Sequence, residues 1–121
     1  MQFLSMIRIN ESSGKQPDER LMHDMGKLME EMTAAGILVD TAGLHRTSEG
    51  KRVKLSGGRT SVTDGPFTET KEVIGGYAIL EVDSMDQAIE VTRRFLDVHG
   101  AGWDIECEIR QLERAPSMDA G

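Results

Sequence analysis

The hydrophobic pattern of this chain changes period twice, from two residues to about 3.6 and back, and that alternation limits the folds open to it. In residues 2 to 9, Phe3, Ser5, Ile7 and Ile9 alternate with Leu4, Met6 and Arg8, which predicts a strand with one greasier face. Asn10 to Gln16 reads as a loop. Pro17, Asp18 and Glu19 then predict a helix start, because proline suits the first turn and carboxylates favour the positive end of the helix dipole. The helix is expected from about Pro17 to Ala35, with Leu21, Met22, Met25, Leu28, Met29 and Met32 in one stripe and Gly36 as its left-handed cap. Ile37 to Leu44 is expected to be a second strand. Later the pattern repeats: a strand over Val73 to Val82, a helix opened by the capping pair Ser84 and Gln87 and ended by Gly100, and a last strand from Trp103 to Leu112.

Between the two repeats lies a different signal. Lys51 to Ser56 and Arg59 to Thr63 flank Gly57-Gly58, a pair that closes a tight hairpin because glycine accepts positive φ at both positions. Asp64-Gly65-Pro66-Phe67 is a turn, and Gly75-Gly76 inside the next strand predicts a bulge or a close backbone approach. Strand, helix, strand, hairpin, strand, helix, strand makes two β-α-β units separated by an arm. The expected fold is α+β and ferredoxin-like, an antiparallel sheet with both helices on one face and the other face open. Arg8, Tyr77, Glu81, Glu106, Glu108 and Arg110 are expected on that open face, where a second subunit would close over a semi-polar chamber. The 121 residues suit one domain, expected over residues 1 to 114, with Ala115 to Gly121 as a loose tail.

Fourteen basic against twenty-one acidic side chains give a net charge of -7, which argues against nucleic acid and anionic membrane surfaces as partners. One cysteine, Cys107, forms no internal disulfide and is expected as a small core residue; with no leader or spanning segment legible, the expected location is cytoplasmic. The three histidines and single cysteine show no metal-ligand spacing, so no metal and no cofactor are expected. Eight methionines against five aromatics suggest a core largely filled by methionine.

Asp64-Gly65-Pro66-Phe67, followed by Glu69, Lys71, Glu72 and Gly75-Gly76-Tyr77, resembles the DGPF motif that names one branch of the YCII-related family. Supporting similarity runs through Glu30-Glu31-Met32, Ala35-Gly36, Ala42-Gly43-Leu44, Gly57-Gly58-Arg59 and Val62-Thr63. The resemblance implies pairing through sheet faces into a dimeric α+β barrel, with a cleft for small molecules. In the wider family the proposed catalysis resembles acid-base elimination or isomerisation by a His and Asp pair, the histidine on the first helix. Here the matching position is Met25, and His23 lies roughly 200° around the helix from it.

Two functions are open at this point. The first is a lyase or isomerase acting on a small organic molecule between subunits. Asp64 with Glu69 or His45 would move protons, Asp64 being partly desolvated beside Phe67, and Arg8 and Arg110 would hold an anionic group. Phe67, Lys71, Glu72 and Tyr77 complete the expected ligand-binding set. The second is a non-catalytic ligand-binding or regulatory homodimer, linked through the family resemblance to sigma-factor regulation. Each candidate has a plainer reading: Asp64 as a turn residue accepting backbone N–H groups, Glu69, Lys71 and Glu72 as solvated charges, His45 as an exposed loop residue, and His99 as a structural ring at a helix C-terminus.

Overall fold

The computed structural model describes residues 1–114. Four strands make one sheet in the order β2 (Leu38–Gly43), β5 (Val73–Glu81), β1 (Gln2–Ile9) and β6 (Glu106–Gln111), every neighbouring pair antiparallel. Helices α1 (Glu19–Ala34) and α2 (Met85–His99) connect β1 to β2 and β5 to β6. Each pair so joined is parallel, with a strand of the other unit inserted between. That interleaving is the ferredoxin-like α+β sandwich the pattern predicts.

Local chemistry explains where the helices begin and end. The Asp18 carboxylate accepts the Leu21 N–H at 2.8 Å, so α1 starts after it and Pro17 stands outside the first turn. At the other end, Gly36 at φ 75° lets its own N–H reach the Thr33 carbonyl and the Ile37 N–H reach the Met32 carbonyl. Ser84 caps α2 by accepting the Gln87 N–H, and Gln87 accepts in return from the Asp83 N–H.

The core lies between the helices and the odd-numbered face of β1. Phe3, Leu80, Val82 and Ala88 form its centre, with Ile37, Leu38, Ala78, Val91 and Ile109 packed against them. Leu21, Leu28 and Met32 bury the inner line of α1, while Met22, expected in the same stripe, is exposed. It sits ~100° around the helix from Leu21, on the rim away from the sheet. Met32 is the one fully buried methionine among the described residues, so branched and aromatic side chains, not methionine, build the core. Cys107 is half-buried on the helix side opposite Ile7, and that burial pushes its thiol up from the ordinary range.

Cross-strand register sets the open face. Leu4 lies opposite Ile79 and Arg110, Met6 opposite Tyr77 and Glu108, and Arg8 opposite Glu106. Glu81 joins them opposite Gln2. The register of β1 and β5 slips between Ile7 and Arg8, leaving Gly75 bulged, and a Cβ on Gly76 would stand 2.9 Å from the Ala42 carbonyl oxygen. Bulge and close approach both occur.

The last strand starts three residues later than Trp103. A turn in which the Trp103 N–H reaches the Gly100 carbonyl carries that ring away from the sheet, edge-on to His99 and near the Lys15 ammonium. His99 Nδ1–H donates to the Phe95 carbonyl at 3.0 Å and packs edge-on to Phe95, a structural role at the helix end. Between β2 and β5, β3 (Lys51–Ser56) and β4 (Arg59–Asp64) form a separate two-stranded arm closed by Gly57 and Gly58, both at positive φ. Every residue of those two strands is exposed. The expected tail, Ala115 to Gly121, lies outside the described residues. No helix among the described residues is long and apolar enough to cross a membrane.

Candidate functional site

The Asp64–Phe67 turn is anchored by backbone rather than by its carboxylate. Gly65 N–H donates to the Gly50 carbonyl at 2.9 Å, across a cis Gly65–Pro66 bond from Pro66. A Cβ on Gly65 would lie 1.6 Å from the Thr47 carbonyl oxygen, so only glycine lets the two loops touch. The Phe67 ring packs beside Gly50 under the Arg52 guanidinium, whose centre stands 3.9 Å from the ring centroid. The opposite side of the clasp is Glu11, whose carboxylate accepts the Thr47 N–H at 2.7 Å and the Thr47 hydroxyl at 2.6 Å. Those two bonds, helped by Arg46, hold the Glu11 carboxyl below its ordinary range.

Two adjoining grooves open beside this clasp. One, of about 480 Å³, is lined by Arg8, Asn10, Lys71, Glu72, Asp104, Ile105 and Glu106. The other, of about 390 Å³, shares Asn10 and Lys71 and is walled by Thr47, Pro66, Phe67 and Thr70. The C-terminal end of β1, the entry to β5 and the entry to β6 therefore meet at one corner of the molecule. Arg8 leans on Glu106 at 3.5 Å, and Glu72 and Asp104 face the same space. Both signs of charge line one groove, with Phe67 and Val73 supplying apolar wall in its neighbour.

Of the residues expected to bind a ligand, Arg8, Phe67, Lys71 and Glu72 are thus brought together. Tyr77 and Arg110 lie elsewhere on the open sheet face. Arg110 stands at the Leu4 position, four residues from Arg8 along β1 or ~13 Å. Tyr77 donates its hydroxyl to the Asp40 carboxylate at 3.0 Å, a bond that holds the phenol proton and raises it above its usual range.

The three residues expected to move protons line neither groove. The Asp64 side chain is 75% exposed, pairs with Lys51 and accepts none of the turn's backbone N–H groups among the bonds formed here. The shielding beside Phe67 expected for this carboxylate is absent within the chain. Glu69 pairs with Arg52. His45, 85% exposed, sits 3.3 Å from Glu49. Among the described residues no three His, Cys, Asp or Glu side chains gather as a metal site would require.

Sequence reasoning missed Asn10, Asp104 and Ile105 as site residues and named Glu106 only for the open face. Alternation tells which face a residue takes, not which strand ends converge. Among the described residues the helix–sheet interior offers no comparable site. Its cavity of about 30 Å³, lined by Ser5, Thr92, Met29 and Phe95 among others, has room for water-sized occupants only.

Residues 1–101 match the sequence description of the YCII-related domain. An uncharacterized protein of Rhizobium meliloti (strain 1021) is 37% identical over 79 residues, 65% of this chain and 64% of that protein, so the chain spans less than two thirds of that relative. The chain belongs to the YCII-related family.

Proposed function

We propose that this YCII-related chain is a non-catalytic binding protein for a small organic molecule carrying both signs of charge, such as an amino acid, held in the corner grooves. The observation that carries the reading is the mixed lining: Arg8 and Lys71 beside Glu72, Asp104 and Glu106. A simple anion would meet more carboxylates than cations there, whereas a zwitterion satisfies both. Phe67, Pro66 and Val73 would receive an apolar side group. The apolar centre of the open sheet face, Leu4, Met6 and Ile79, supports a homodimer in which a second copy covers it. The link to sigma-factor regulation implied by the motif would run through such a ligand-sensing dimer.

The test is thermal shift and calorimetry with the twenty standard amino acids as probes. At least one should raise the melting temperature by mass action and remain unchanged after incubation. Arg8→Ala should weaken its binding by about tenfold or more. If no probe shifts the transition, or Arg8→Ala binds as well as the parent, the reading fails.

A lyase or isomerase reading keeps one observation of its own, the His45–Glu49 pair, in which a carboxylate orients an imidazole. It requires that a bound probe be consumed and that His45→Ala abolish the consumption.

A further inference from the structure

The arm and the far end of the body are complementary surfaces that one chain cannot bring together. On one face of the arm Val53 lies opposite Val62 and Leu55 opposite Thr60, and the three apolar side chains are 70%, 61% and 72% exposed for Val53, Val62 and Leu55. The opposite face carries Arg52, Lys54 and Arg59. Lys51, Arg52, Lys54 and Arg59 against Asp64 leave the arm at +3; with a total of -7, the rest of the chain stands at -10.

At the other end of the sheet is a groove of about 550 Å³ with an apolar floor of Ile37, Val82 and Val91 and a rim of Glu81, Asp83, Asp86 and Glu90. Glu81 takes the terminal amine and Glu90 takes Arg93. Among the described residues Asp83 and Asp86 form no ion pair, and neither do Lys54 and Arg59 on the arm, whereas Lys51 and Arg52 do. The arm leaves the body at the entry to β5, and the groove lies at its exit, 9 residues or about 30 Å away.

We propose that the arm of one copy docks in the acidic groove of a second copy. Val53, Leu55 and Val62 cover the apolar floor, and Lys54 and Arg59 reach the Asp83 and Asp86 carboxylates along their flexible stems. A two-fold axis across the strand direction sets each arm end beside the partner's groove end, so the contact forms twice and closes. This inference uses none of the ligand-groove residues, and its test contains no ligand.

Sedimentation equilibrium of the full chain should show a dimer. Lys54→Glu with Arg59→Glu, and separately Asp83→Lys with Asp86→Lys, should each weaken self-association by about tenfold or more. Mixing the two variants should restore a heterodimer of near-parental affinity, because both contacts then regain opposite charges. Leu55→Asp should weaken association without touching the charged rim. A parent that stays monomeric, variants that associate as tightly as the parent, or a mixture with no gain over either variant alone would each overturn the proposal.

Discussion

The body and the arm are both built of well-registered antiparallel strands, yet one buries its apolar face and the other buries nothing. In the body, Phe3 and Leu80 lie opposite each other across β1 and β5 under α2, each almost wholly shielded. In the arm, Val53 and Val62 are equally well paired and stand in water. Pairing and turn chemistry therefore suffice to shape a hairpin, but an isolated two-stranded ribbon is marginal without a surface to cover it. The difference teaches that strand pairing by itself supplies no core: the arm keeps its apolar face in water, while the sandwich stands on a buried centre.

That contrast can be broken first at the core. Phe3→Ala should cost the body about 3–5 kcal/mol of unfolding free energy, seen as a lower midpoint in urea, since a fully buried ring is replaced by a cavity. A loss below about 1 kcal/mol would mean the core centre lies elsewhere. The clasp comes second. Gly65→Ala should cost roughly 1–3 kcal/mol, because its Cβ meets the Thr47 backbone and not a side chain that can swing away. Hydrogen exchange should show the loss concentrated at residues 47–50 and 65–67, with β1 and β5 still protected.

Glu11→Gln should have a smaller effect, about 1 kcal/mol at neutral pH, because the carboxylate is near solvent. Its sign with pH follows from the depressed folded-state pKa. The stabilisation is complete above the ordinary glutamate value of 4.5 and is lost as pH falls through the lowered value. Parent and variant melting temperatures should therefore converge in acid, and a gap that widened there would contradict the Thr47 bonds as its cause. Smallest of all, Leu55→Ala should change unfolding of dilute monomer by no more than about 0.5 kcal/mol. A large loss in monomer would show that the arm is packed on its own body.

Much of this architecture is legible in the residues themselves. Gly57-Gly58 demands a two-residue hairpin, Ser84 and Gln87 mark a helix start, and the alternation of β1 and β6 places Arg8, Glu106, Glu108 and Arg110 on the uncovered face. Misreadings fall where a local signal competes with long-range packing. Trp103 continues the alternation of β6, yet the Gly100–Gly102 turn and the His99 ring draw it out of the sheet. Met22 fits the helical stripe but sits past its edge. The role of Gly65 was visible only as turn chemistry, because the atom that excludes a side chain there belongs to Thr47, eighteen positions earlier in the chain.

Periodicity, capping residues and glycine pairs are properties of neighbouring positions, so the order of elements, the hairpin and the uncovered sheet face follow from the residues alone. Which distant segments meet does not. The groove joins residues 8–10, 71–72 and 104–106, and the acidic hollow joins Ile37 to Asp83 and Glu90. Such groupings arise when strands interleave and their ends converge, an outcome of the whole chain's packing that no local window encodes.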